Sequence, residues 1–319
     1  MADTVVQHAA PLDPRKFRDP QITAAGDRRA QVMLKSLDTL WFNTGTLCNL
    51  TCANCYIESS PRNDRLAYLS AAEIASYLDE IARDGLGTRL IGFTGGEPFM
   101  NPALPAMLDA VLSRGLRALV LSNAMRPMAK CKPALLRLRE AYGDRLTIRV
   151  SLDHYASAVH EAERGRRSWQ PTLDGLVWLS ENGFSVAVAS RYLSGEPEAD
   201  IRRGFDRLFA TLGLALDADD PAALVIFPEM DATSDVPEIT EACWGILNKS
   251  PDSVMCRSSR MVVKRKGAAH PTVVACTLLP DDPQFDLGPS LADASGAVPL
   301  NHPHCARFCV LGGAACSRD

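Results

Sequence analysis

Three cysteines crowd into one short run, Cys48-Asn-Leu-Thr-Cys52-Ala-Asn-Cys55. Thiolates at that spacing can hold three irons of a 4Fe–4S cluster and leave the fourth iron open to another ligand. A structural zinc site and a chance crowding of buried thiols are the competing readings. The zinc reading lacks an obvious fourth ligand nearby. Five more cysteines, Cys256, Cys276, Cys305, Cys309 and Cys316, lie near the C-terminal end, the first four spaced C-x19-C-x28-C-x3-C. They are enough for one four-thiolate site, and Cys256, Cys276, Cys305 and Cys309 are the favoured set, with Cys316 as a substitute or a substrate-side thiol. A zinc site stapling a small lobe is the competing reading there. Cys131 and Cys243 stand alone and read as inert buried thiols. His302 and His304 flank Cys305, and their Pro-rich setting reads as surface loop rather than ligand.

The rest of the chain must position these groups. Its 319 residues are 46% apolar and 23% charged, a globular balance that excludes a disordered chain. Net charge is 34 − 38 = −4, so no basic field draws nucleic acid or an anionic membrane. The one dense basic run, Lys264-Arg265-Lys266, is short enough to be a solvated hairpin. The polar N-terminal arm, 1–36, lacks the apolar run of a secretory peptide, and no stretch has the roughly 18 apolar residues of a spanning helix. A cytoplasmic, reducing setting is therefore expected, where clustered cysteines serve metals more often than disulfides.

From residue 37 onward, apolar runs alternate with helix-period segments. Strands are expected at 37–43 (LDTLWFN), 89–94 (RLIGFT), 117–122 (RALVLS), 146–152 (LTIRVSL), 184–190 (FSVAVAS) and 223–227 (ALVIF). Helices are expected after Ser70, which forms a capping box with Glu73, and at 102–114, 133–141, 172–182 and 198–212. Strands rich in Val, Leu and Ile alternating with helices imply an α/β fold with a parallel sheet buried on both faces. Periodicity alone does not choose between a barrel and an open sheet. Beyond 235 the alternation stops, and Pro, Asp, Gly and cysteine crowd in. That reads as a separate loop-rich unit over 236–319, poor in core and held by metal.

With these elements in place, the chain resembles the radical S-adenosylmethionine (SAM) superfamily, whose hallmark is C-x3-C-x2-C after the first barrel strand. Gly95-Gly96-Glu97-Pro98 follows the second strand, where the family carries GGEP. Ser122-Asn123 ends the third and Ser151-Leu152-Asp153 the fourth, as in many members. His160-Glu161-Ala162-Glu163-Arg164-Gly165 looks like their H-[DE]-x-x-R-G segment. Each match alone has a plain alternative: a turn, a cap or an exposed helix face. Their order at the ends of successive strands makes coincidence improbable. One position departs: before the third cysteine the family commonly has an aromatic residue or His, and this chain has Asn54.

The resemblance implies a partial (β/α)6 TIM-like barrel over 37–235 with a small C-terminal iron–sulfur domain. It implies Cys48, Cys52 and Cys55 as cluster ligands. Gly95, Gly96, Glu97, Pro98, Ser122, Asn123, Ser151 and Asp153 would bind SAM, with Glu97 and the neighbouring backbone on its methionine amino group. One electron from the cluster would split SAM, and the 5′-deoxyadenosyl radical would take a hydrogen atom from a peptide side chain, cofactor precursor or small metabolite. The C-terminal spacing resembles the twitch and SPASM auxiliary-cluster extensions, with a hairpin between Cys256 and Cys276 turning near Gly267. Its five thiols suit one auxiliary 4Fe–4S cluster and fall short of the seven of a full SPASM pattern. A donor such as flavodoxin or ferredoxin would supply electrons. No nucleic acid and no membrane is expected as partner. Arg191 and Tyr192, at the end of a strand, are further candidates for the cavity wall. The rival of a different class is a non-enzymatic, zinc-stabilised binding protein.

Overall fold

The computed structural model describes residues 10–193, 195–228 and 230–314, so Cys316 lies outside the described residues. After β1 (Gln31–Val32), the barrel strands are β2 (Thr39–Asn43), β3 (Leu90–Thr94), β4 (Arg117–Ser122), β5 (Leu146–Ser151), β6 (Ser185–Arg191) and β7 (Leu224–Phe227). The helices between them are α1 (Ala71–Asp84), α2 (Leu104–Leu112), α3 (Arg126–Lys130), α4 (Lys132–Tyr142), α5 (Ser157–Arg164), α6 (Trp169–Glu181) and α7 (Glu198–Leu212). β2 to β7 pair in parallel in chain order, as the alternation implies. α1 starts at the expected capping box: Glu73 N donates to Ser70 Oγ at 3.2 Å and Ser70 N donates to Glu73 Oε2 at 2.8 Å. It stops at Gly85, whose φ of 60° suits a residue without Cβ.

The strands divide their side chains between two cores. Leu40, Phe42, Ile91, Phe93, Val120, Ile148, Val150 and Val188 point outward and pack with Ile74, Leu78, Leu108, Leu135, Leu176 and Phe205 of the helices. The alternate positions, among them Trp41 and Leu119, face inward. Trp41 lies across Gly92 of the neighbouring strand, where an added Cβ would come 2.2 Å from the indole. Side chain and glycine together fill the barrel at that level.

The segment after 235, read from the sequence as a unit with little core, is built into this sheet. β8 (Ser259–Val263) pairs in parallel with β2, and β9 (Thr272–Val274) and β10 (Asp286–Gly288) continue antiparallel. The full order is β10-β9-β8-β2-β3-β4-β5-β6-β7. β8 and β9 form the hairpin expected between Cys256 and Cys276, with Gly267 at φ 81° in its turn. Met261, Val263, Val274, Leu278, Phe285, Leu300 and Phe308 are buried with Trp41 on the inner side of the sheet. The C-terminal segment therefore has a core of its own making, shared with the barrel wall. The sequence obscures this because short strands between polar turns carry little periodicity.

The N-terminal arm is also packed. β1 pairs with β11 (Val298–Pro299), and Arg29 is buried against Glu238 at 2.5 Å. Lys16 meets Asp235 at 2.8 Å. No helix among the described residues is long and apolar enough to cross a membrane. Replacing Gly92 with Ala should cost about 1–3 kcal/mol through overpacking against Trp41. Urea denaturation should show a lower midpoint with an unchanged slope. A wild-type midpoint would mean that the indole moves freely.

Candidate active site and a second cysteine centre

The loop that carries Cys48, Cys52 and Cys55 leaves β2 at Asn43 and is fixed by backbone. Gly96 N donates to Gly45 O at 2.8 Å and Glu97 N to Leu47 O at 3.1 Å. A Cβ on Gly95, at φ 133°, would stand 2.5 Å from Gly45 O, and one on Gly96 would stand 2.2 Å from Leu47 O. The two glycines are thus required by a close crossing of two loops, one carrying the cysteines. Further along, Cys48 N donates to Ser60 O at 3.0 Å and Ala53 N to Glu163 O at 2.8 Å.

A cavity opens at this end of the barrel. Cys48, Cys52, Cys55, Gly95, Gly96, Ser122, Asn123, Ser151 and Asp153 all line it, so residues from four successive strand ends converge as the motif order implies. Glu97 and Pro98 are not in the lining. The Glu97 carboxylate accepts from Ser122 Oγ and Asn123 N, each at 2.9 Å, and from Phe99 N at 3.2 Å. It pins the end of β3 to the end of β4, and burial, opposed by these donors, lifts its pKa to about 7. Pro98 is buried at the start of a short 3-10 turn.

The sequence reading missed part of the site. Arg164 is forked onto Asp153, Nε to Oδ2 at 2.7 Å and Nη2 to Oδ1 at 3.0 Å, and lines the cavity near Cys52. Glu163 accepts from Asn54 N at 2.9 Å and Asn54 Nδ2 at 3.0 Å. Arg191 Nη1 donates to the same carboxylate at 2.8 Å. So Asn54, at the departing position, ties the cysteine loop to α5 and to the end of β6. Arg191 lines the cavity as anticipated, and Tyr192 packs against the outer core instead. The HEAERG segment contained both α5 partners, but only their packing on the loop gives them a role. Leu278 and Phe308 of the C-terminal segment complete the apolar side of the cavity with Phe227.

The thiols fit a metal cluster. Cys48 is buried, and its thiol is pushed up to about 12 by burial, with the charges of Glu97, Cys52 and Cys55 adding to it. Burial also raises Cys52, offset by Arg164. Backbone N–H groups point at two of the sulfurs, Leu50 N at Cys48 Sγ (3.4 Å) and Ser59 N at Cys55 Sγ (3.3 Å). The charges of the three thiolates disfavour one another's ionisation, a penalty that a cationic metal cluster would remove.

A second centre lies in the inner core. Cys256, Cys276, Cys305 and Cys309 are each only 4–6% exposed. Cys256 and Cys276 bracket the β8–β9 hairpin, while Cys305 and Cys309 share one wide helical segment, Cys305–Leu311. Burial drives the Cys305 thiol far up, and the charges of Cys256 and Cys276 push it the same way. All four belong to one buried core. Cys131 and Cys243 are half-buried, Cys131 packed against the outer core and Cys243 against the inner one. His304 corrects the surface-loop expectation: it is 7% exposed, its ring is 4.7 Å from that of His302, and burial holds its pKa near 4.

Comparison with known proteins agrees with the geometry. The family model described as the radical SAM superfamily matches residues 42–208. The antilisterial bacteriocin subtilosin biosynthesis protein AlbA of Bacillus subtilis is 34% identical over 143 residues, 44% of this chain and 30% of that protein. Mycofactocin maturase MftC of Mycolicibacterium smegmatis is 27% identical over 143 residues, 45% of this chain and 34% of MftC. The chain thus aligns with about a third of the length of these relatives. Among solved structures, Streptococcus suis SuiB bound to S-adenosylmethionine superposes with a TM-score of 0.58 at 14% identity, over 80% of this chain and 64% of SuiB. The structure of anSMEcpe with bound AdoMet gives 0.56 at 14% identity, over 80% of this chain and 79% of that one. Both show the partial-barrel fold.

His160 supplies a pH test of how α5 supports the site. It is fully buried against Trp169 with neither ring nitrogen hydrogen-bonded, and burial lowers its pKa to about 4. The unfolded chain protonates near 6.5 and the folded one resists, so this stability is present above about 6.5 and lost as pH falls towards 4. The shift corresponds to about 3 kcal/mol. His160→Phe should therefore lose less stability than wild type between pH 7 and 4 in denaturation titrations. Parallel curves would show that His160 does not set this limb.

Proposed function

Because the chain belongs to the radical SAM superfamily, we propose that it cleaves SAM reductively and uses the radical to modify a peptide substrate. The observation that carries this reading is the single cavity in which the three-cysteine loop meets Gly95, Gly96, Ser122, Asn123, Ser151 and Asp153. Membership implies a 4Fe–4S cluster and SAM, and Cys48, Cys52 and Cys55 are the residues that would hold the cluster. When bound, the pair supplies a 5′-deoxyadenosyl radical able to take a hydrogen atom from an unactivated carbon.

The chain's own residues position and shield. Gly95 and Gly96 line the cavity beside the cysteine loop, where the methionine end of SAM would lie. Glu97 acts from behind, holding Ser122 and Asn123 in place for the nucleoside. Asp153 keeps the Arg164 guanidinium beside Cys52, where a cation balances thiolate charge and can receive a carboxylate. Phe227, Leu278 and Phe308 keep water from the apolar side. The second centre, Cys256, Cys276, Cys305 and Cys309, would hold an auxiliary 4Fe–4S cluster, and a flavodoxin or ferredoxin would deliver electrons.

The peptide is favoured over a cofactor precursor or small metabolite by the relatives. AlbA serves bacteriocin biosynthesis, MftC is a maturase, and SuiB has been solved bound to its precursor peptide SuiA. A zinc-stabilised binding protein is not favoured, since those relatives are biosynthetic proteins. Anaerobically prepared protein should carry about eight irons and eight sulfides, four of each per cluster. The Cys48→Ala/Cys52→Ala/Cys55→Ala variant should keep about half and stop releasing 5′-deoxyadenosine from SAM under dithionite. Zinc without sulfide in the wild type would overturn the enzymatic reading, and iron falling to zero in the triple variant would overturn the two-centre division.

A further inference from the structure

The inner core holds a positive charge that no carboxylate answers. Arg260 lies on β8 with its whole side chain buried, 0% exposed. Its guanidinium donates only to carbonyls: Nε to Ala294 O at 2.9 Å, Nη1 to Cys256 O at 2.6 Å and Ser259 O at 2.8 Å, and Nη2 to Gly296 O at 3.0 Å. Among the described residues, no Asp or Glu oxygen comes within ion-pair distance of it. Arg29, the other fully buried guanidinium of this core, has Glu238 at 2.5 Å. Carbonyls satisfy the N–H groups of Arg260 but do not neutralise it. An uncompensated charge in such a core costs several kcal/mol. A core that retains one needs an anion nearby.

Arg260 Nη1 reaches the Cys256 backbone, which sets the guanidinium beside the cysteine core. Burial disfavours its charged form, and Cys256 and Cys276 would favour it once deprotonated. Cys305 is coupled to the same two sulfurs, and Cys309 follows on its helical segment. Four thiolates around an iron–sulfur core keep a net negative charge, and each added electron increases it. A fixed cation in a low-dielectric wall stabilises the more negative state, which moves the reduction potential upward.

We propose that Arg260 is the internal counter-cation of a cluster held by Cys256, Cys276, Cys305 and Cys309, and that it raises that cluster's reduction potential. The inference rests on reading the second centre as an auxiliary cluster. It assigns a role to a residue that touches no cavity and belongs to no motif. Arg260 is a positioning and tuning residue: it accepts no electron and ligates no iron.

The test is a dithionite potentiometric titration followed by electron paramagnetic resonance, in the Cys48→Ala/Cys52→Ala/Cys55→Ala background so that only the second cluster reports. Arg260→Lys keeps the charge, Arg260→Gln keeps donors without charge, and Arg260→Met keeps neither. Gln and Met should lower the midpoint and Lys should move it less. If the neutral variants cannot hold the cluster, iron retained by Lys and lost by Gln and Met supports the same role. Equal shifts in Lys and Gln, equal iron loss in all three, or unchanged midpoints with full iron would each overturn it by making Arg260 a hydrogen-bonding scaffold. A background variant that holds no iron at all overturns the cluster reading beneath it, and this control is read before any Arg260 substitution.

Discussion

The site depends on one crossing of backbone on backbone. The chain turning out of β3 at Gly95–Gly96 lies so close to the chain leaving β2 at residues 45–47 that neither glycine has space for a methyl group. Two amide-to-carbonyl bonds lock the crossing, Gly96 N to Gly45 O at 2.8 Å and Glu97 N to Leu47 O at 3.1 Å. The parallel register of β2 and β3, with Asn43 opposite Thr94, brings the two turns out side by side. Everything downstream inherits that geometry. The cysteine loop starts from a fixed point, and the two glycines that fix it also line the cavity.

A single anchor would leave the far end of the loop loose, and α5 supplies the second. Glu163 takes two donors from Asn54 and one from Arg191, and Arg164 beside it forks onto Asp153. Loop, helix and the ends of β5 and β6 are thereby joined by charge-assisted bonds, buried at Glu163 and Asp153 and exposed at Asn54. Such bonds exceed neutral ones in strength and hold angles as well as distances. The network also stores risk, since removal of Glu163 would strand Arg191 and both Asn54 donors together. His160 on the same helix adds a contact against Trp169, and burial disfavours its protonated form.

The barrel was legible in the sequence because its strands are buried on both faces and read as unbroken Val, Leu and Ile runs; 117–122 matches β4 residue for residue. The cysteine loop, the glycines and the strand-end polar residues were legible because each sits where the period changes. Other features were hidden for physical reasons. β8 was not readable as a barrel strand because SRMVV is short, and only pairing with β2 makes it one. Glu163, Asn54 and Arg191 are far apart in the chain, and topology alone brings them to one carboxylate. His304 and Arg260 have side chains that usually mark a surface, and both are buried here. Glu97 shows the opposite limit: its motif marked it, yet its side chain serves the frame of the cavity rather than its lining.

The two cysteine centres share a wall. Phe308 lies between Cys305 and Cys309 in sequence and lines the first cavity, and Leu278 does the same two residues beyond Cys276. Phe308 also packs on Phe227 of the last barrel strand, ring centres 5.5 Å apart. The order of the second centre therefore sets the position of the apolar side of the first. A four-thiolate centre that fixes Cys276, Cys305 and Cys309 would fix Leu278 and Phe308 with them, and its loss would open the cavity to water from that side. Structure alone gives the C-terminal segment this part in the chemistry, whether or not electrons pass through it.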